Sequence, residues 1–191
     1  VAKAFRRTSR GIIVNLAKGE RTILTTIFTD TIALLEPTVA ENEDPLAAMV
    51  GITESAGTPS DPALARLLPP GSTTDDEDAD EFRRYTERGL RERKIAGLQT
   101  ALLTVGRSDP IALADAEAEA WLVALTDVRL VLAERLGVKT EEDFERLEAE
   151  TDEDGGEGHQ DMLIDVYDFL TWLQETLANA LMGDLPEGDE E

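Results

Sequence analysis

Ala118-Glu119-Ala120-Trp121-Leu122-Val123-Ala124-Leu125-Thr126-Asp127-Val128-Arg129-Leu130-Val131-Leu132-Ala133 carries apolar side chains on more than one helical face. Trp121, Leu125, Val128 and Leu132 line one face, and Leu122 and Leu130 with Ala133 line another. A helix so patterned is buried on most sides, so the stretch predicts a central helix, from roughly Ala112 to Leu136, with Gly137 as its C-terminal cap.

The flanking segments predict the helices that would cover it. Ile23, Ile27 and Leu34, with Leu24, Phe28 and Leu35 beside them, recur at three- and four-residue spacing up to Glu36-Pro37 and read as a first core helix. A second runs from about Asp78 to Val105, with Phe82, Thr86, Leu90, Leu98, Leu102 and Val105 on one side. A last one, Asp161 to Met182, points Leu163, Val166, Leu170, Leu173, Leu177 and Leu181 inward, and Gly183 ends it. Thr140-Glu141-Glu142-Asp143 opens a short acidic helix in a pattern close to a capping box.

Upstream, residues 5–16 are too β-branched for a helix and read as a hairpin around Ser9-Arg10-Gly11. Residues 37–80 form a long loop rich in Pro, Gly, Ser, Thr and Asp. One short helix is expected within it at 61–68, where Asp61 caps, Pro62 fits the first helical position and Pro69-Pro70-Gly71 stops the turn. The expected fold is mainly α: a compact helical domain of about four to five helices with a small N-terminal β-hairpin. It spans residues 1–183 as one unit, with an acidic tail at 184–191.

Charge is unevenly spread. Of 191 residues, 41 are Asp or Glu and 18 are Lys or Arg, a net of -23. Six cations precede residue 22 and six more fall between Arg83 and Lys94, while residues 140–191 hold 19 acids against one base, Arg146. An acidic surface repels nucleic acid phosphate, so direct DNA binding is expected to be weak. No run approaches the ~20 apolar residues of a membrane helix, and a cytoplasmic protein without membrane association is expected.

The chemistry expected is not catalytic. With no cysteine there is no disulfide, thiolate metal site or thiol switch. The one histidine, His159, is expected to lie in a flexible acidic linker, Asp152 to Asp161, with no nucleophile beside it, and no glycine-rich phosphate loop is present. The run from Asp152 resembles a calcium loop only superficially: its sixth position is Glu157 where glycine belongs, and its twelfth is Leu163 where a bidentate Glu belongs. We therefore expect no enzyme activity, no cofactor and no resident metal.

Three groups of side chains invite a role. Arg84, Arg88 and Arg91 share a helical face that can meet an acidic partner. Phe169 and Trp172 lie on a stripe offset from the core face of the last helix and could anchor a partner or a homodimer. Lys94, Asp127 and Arg129 interrupt apolar stripes. An unpaired buried ion is costly, so some of them should pair across the core.

Several motifs together resemble the actinobacterial AosR family, long filed as a domain of unknown function. They are Asp61-Pro62-Ala63-Leu64 with Arg66-Leu67-Leu68-Pro69; Glu81-Phe82-Arg83-Arg84 with Leu90-Arg91 and Lys94; Ala120-Trp121-Leu122 with Asp127 and Arg129-Leu130; and Tyr167-Asp168-Phe169-Leu170 with Leu173-Gln174-Glu175. The resemblance runs in order from Phe5 to Leu181. It implies a helical cytoplasmic regulator of oxidative-stress transcription that works with a sigma factor of RNA polymerase. It also implies a gene setting near a Clp adaptor, which makes an adaptor or scaffold in proteolysis the alternative. This sequence departs from a redox sensor in lacking cysteine, and leaves only Met49, Met162 and Met182 as weakly oxidisable groups.

Overall fold

The computed structural model describes residues 2–9, 11–36, 59–69, 76–140, 142–144, 146–147 and 158–183. Most of the long loop, the calcium-like run from Asp152, the tail at 184–191 and the side chains of Phe82, Arg83, Arg84 and His159 lie outside the described residues. In chain order the elements are β1 (Lys3–Thr8), β2 (Gly11–Asn15), α1 (Lys18–Leu35), α2 (Pro62–Leu67), α3 (Asp76–Val105), β3 (Ile111–Leu113), α4 (Asp115–Leu136) and α5 (His159–Met182).

Helix ends follow local chemistry. Asp61 Oδ1 accepts from the backbone N–H groups of Ala63 and Leu64 at 2.8 and 3.3 Å, with Pro62 at the first helical position of α2. α1 and α4 have alanine at the N-cap, and a glutamate three residues on reaches back instead: Glu20 accepts from Ala17 N–H and Glu117 from Ala114 N–H. Gly137 ends α4 at φ 72°, which lets the Val138 N–H close on the Ala133 carbonyl at 2.9 Å.

Three boundaries differ from the sequence reading. α5 starts at His159 instead of Asp161, so the histidine expected in the linker is helical; Asp161 stands at the third helical position, where its carboxylate accepts from the Gly158 N–H. α3 starts at Asp76, inside the stretch assigned to the loop, because a run of acidic residues favours the positive end of a helix dipole. α4 starts at Asp115 instead of Ala112, because Ile111–Leu113 is a strand. The hairpin is thus part of a three-stranded antiparallel sheet in the order β1-β2-β3, with Ile12 opposite Leu113 and Val14 opposite Ile111. Period-two burial accounts for the missed strand: Ile111 and Leu113 point inward while Ala112 faces out.

Gly11 opens β2 at φ 108°, and a Cβ there would lie 2.6 Å from the Leu113 carbonyl oxygen. Gly11→Ala is therefore expected to destabilise the fold by at least about 1 kcal/mol. An unchanged urea midpoint would show that the β2–β3 spacing is not held as described.

α4 occupies the centre, packed against α3, α5 and α2, and the sheet closes one end of the helical layer. α1 buries Leu24, Phe28, Thr31 and Leu35, one position round from the stripe of Ile23, Ile27 and Leu34, which are only partly buried. The Thr31 hydroxyl stays satisfied by donating to the Ile27 carbonyl at 2.8 Å. α5 buries Val166, Leu170, Leu173 and Leu177.

Two arginines lock the joints. Arg21 donates to the carbonyls of Leu16, Val105 and Arg107 and pairs with Asp109 at 2.5 Å, tying the start of α1 to the C-terminal end of α3. Arg7 in β1 donates to the Ala180 carbonyl at 3.0 Å and pairs with Asp115 at 3.1 Å.

Candidate functional site

The basic face of α3 divides in two. Arg91 turns inward, 16% exposed, donating to the Leu35 carbonyl at 2.9 Å and to the Glu87 carboxylate at 2.7 Å, and so secures the end of α1. Arg88 stays exposed and pairs with Glu92 at 2.9 Å, an i, i+4 contact of small energetic weight. The structure thus separates Arg88, paired at the surface, from Arg91, engaged in packing.

On α5, Trp172 is 36% exposed and its ring stacks on Phe169 with centroids 6.4 Å apart and 25° between planes. Trp172 thus stands partly out of the core while Phe169 packs against it.

The embedded charges form two separate arrangements. Lys94 Nζ on α3 donates to Asp127 Oδ1 on α4 at 2.6 Å, with the Asp127 side chain 2% and the Lys94 side chain 16% exposed. Asp127 Oδ2 is buried with no hydrogen-bond partner. Burial pushes the Asp127 carboxyl above its ordinary range, against the opposing pull of Lys94.

Arg129, two residues on and turned toward α5, belongs to the second arrangement. Its Nη1 donates to Gln174 Oε1 at 2.6 Å and its Nη2 to the Tyr167 hydroxyl at 3.3 Å, while its guanidinium carbon sits 5.1 Å from the Tyr167 ring centroid. Arg129 Nε is buried without an acceptor, and among the described residues no carboxylate pairs with this guanidinium.

Arg129 lines a groove of about 590 Å³ between α4 and α5. Leu130 and Ala133 continue its α4 wall, Asp168, Thr171 and Glu175 form the α5 wall, and Arg66 from α2 with Lys139 and Phe144 from the segment after α4 complete it. Phe144 packs on Tyr167 at 5.0 Å between ring centroids. Burial raises the Asp168 carboxyl above its ordinary range, and neighbouring Asp165 adds to the effect. Sequence reasoning singled out Arg129 but not this groove, whose walls come from segments up to about a hundred residues apart and meet only in the fold.

Among the described residues no three His, Cys, Asp or Glu side chains are placed to hold a metal ion, and no helix is long and apolar enough to cross a membrane. The class so defined is a helical domain capped by a small antiparallel sheet. The chain belongs to the family described as a domain of unknown function (DUF2017), whose model matches residues 2–181.

Relatives with a name agree with one another. The oxidative stress regulator AosR of Mycobacterium tuberculosis strain H37Rv and that of Mycobacterium bovis are each 31% identical over 185 residues, covering 88% of this chain and 81% of theirs. A Mycobacterium leprae protein also bearing the AosR name is 35% identical over 158 residues, 73% of this chain and 67% of its own. The family resemblance read from the motifs is thus shown, and the named members are regulators. No solved structure matches the chain.

Proposed function

We propose that this chain regulates stress-response transcription through protein contacts with RNA polymerase or a sigma factor, without enzymatic activity of its own. The observation that carries the reading is its similarity, over 88% of its length, to proteins named oxidative stress regulators. Two features support protein contact over direct DNA reading. A net charge of -23 opposes phosphate binding, and the half-exposed Phe169–Trp172 pair offers an apolar anchor. Such a role places the protein in the cytoplasm. With no cysteine in these 191 residues, thiol oxidation does not carry the signal in this chain.

The test is binding of the purified chain to purified RNA polymerase core and to individual sigma factors on a biosensor, with promoter DNA and Clp components as separate analytes. Polymerase or a sigma factor should bind, with Trp172→Ala weakening the complex by about tenfold or more. Arg88→Glu should weaken it a few-fold at low salt only, as expected of an exposed charge. Binding to Clp components alone would move the chain to the adaptor class, and tight salt-dependent binding to DNA alone would overturn protein contact as the mechanism.

A further inference from the structure

We propose that the groove between α4 and α5 is a binding site for a monocarboxylate carried on an apolar stem, with Arg129 as the group that reads the carboxylate.

The starting point is a charge that no carboxylate among the described residues answers. A guanidinium has five N–H donors; in Arg129 two meet neutral acceptors, Gln174 Oε1 and the Tyr167 hydroxyl, and Nε meets none. A partly buried cation without a counter-charge is costly to the fold. Other partly buried cations of the described chain are answered: Arg91 grips Glu87, Arg21 holds Asp109 and Lys94 holds Asp127. Arg129 differs in facing a space of ligand size, about 590 Å³.

The surroundings narrow the ligand. The planar fork of arginine matches a carboxylate or a phosphate. Lys139, and Arg66 within 3.7 Å of Glu134, add positive charge at the groove, but Asp168 and Glu175 stand on the α5 wall and oppose a dianion. A single carboxylate is thus preferred over a phosphate. Leu130, Val138 and Phe144 supply the apolar lining for a stem. The shared chemistry fits a free organic acid or the side chain of a glutamate between apolar residues of a peptide. It does not depend on which protein the chain contacts, so it can fail or hold separately from the transcriptional reading.

The experiment titrates the full 191-residue chain, labelled with nitrogen-15, at constant ionic strength. The probes are 3-phenylpropanoate, its neutral amide, inorganic phosphate, and a blocked Leu-Glu-Phe tripeptide. The acid should shift the backbone amides of Val138, Tyr167 and Thr171 in a saturable way, and the amide and phosphate should not. Tighter binding of the tripeptide than of the free acid supports the site with a peptide as source, and the reverse supports it with a small acid as source.

Arg129→Lys keeps the charge but loses the fork, and should weaken the acid by about tenfold. If that variant does not fold, the exposed rim pair Arg66→Gln with Lys139→Gln replaces it, with a loss of a few-fold expected. Equal binding of acid and amide, phosphate binding as well as the acid, no shift at the groove, or unchanged affinity in a folded variant overturns the proposal.

Discussion

Replacing Asp127 by alanine should cost the fold about 3 to 5 kcal/mol, because it leaves the Lys94 ammonium facing an apolar interface with no anion. The pair is made at 2.6 Å between α3 and α4, and Asp127 is 2% exposed. Removing both charges is a different operation: Lys94→Met with Asp127→Leu should lie within about 1 kcal/mol of the native protein or above it, because the desolvation penalty disappears with the attraction. Urea denaturation of the two variants beside the native chain measures the difference. An alanine variant of native stability would mean the pair is solvated and the description of the α3–α4 interface is wrong.

The same carboxyl makes stability depend on pH in a sense opposite to that of most surface carboxylates. Its folded value is raised above the ordinary one, chiefly by burial. In the window between the two values the native state holds a proton that the unfolded chain has released. Stability from this group therefore rises as pH falls through that window, and its penalty is complete above the folded value. Asp127→Asn abolishes the titration and keeps an acceptor for Lys94. From about pH 7 to about pH 4 the unfolding free energy of the native chain should gain on that of the variant. Glu117 and Asp61 have carboxyls lowered by the hydrogen bonds of Arg107 and Arg135, and they lose stability on acidification. They do so in both proteins and cancel in the difference.

Trp121→Ala is expected to cost about 3 to 5 kcal/mol, the range for truncating a large buried aromatic, and to lower the melting temperature by about 10 °C in a chain of this size. Trp121 is 0% exposed and joins four elements. From α4 its ring meets Phe5 of β1 edge-on at 5.6 Å and Phe28 of α1 at 5.8 Å, and its Nε1 donates to Thr104 Oγ1 of α3 at 2.6 Å. Trp121→Phe keeps most of the ring packing and loses the donor, so it should cost about 1 to 2 kcal/mol. Calorimetry on both variants separates packing from hydrogen bonding. Equal losses would assign the whole effect to the N–H, contrary to the ring contacts described.

What could be read from the chain and what could not follows the distance over which each feature is made. Helices with a clear apolar stripe, such as α5, show their inward residues in local spacing alone. The Lys94–Asp127 pair was readable for a related reason: each charge interrupts a stripe, and a buried ion needs a counter-ion. β3 escaped because three residues next to a helix start carry too little period to compete with the helical pattern that follows. Arg129 was expected to share in an ionic network, but its partners are Gln174, 45 residues away, and the ring and hydroxyl of Tyr167, 38 residues away. Neutral acceptors leave no charge signature. The role of Arg91 in holding the Leu35 carbonyl was hidden for the same reason, since a backbone acceptor has no sequence identity.

The contact of β1 with α5 has a consequence for how the protein is made. The Phe5 N–H, on the edge of the sheet, donates to the Thr176 hydroxyl, and Arg7 donates to the Ala180 carbonyl, so β1 is completed by α5. A chain leaving the ribosome carries β1 exposed through the synthesis of the 171 residues that separate Phe5 from Thr176. During that interval the strand edge stands open to any other extended chain. The nascent protein is therefore most vulnerable in the interval before α5 emerges, and a ribosome stalled ahead of α5 would release a product with its sheet unsealed.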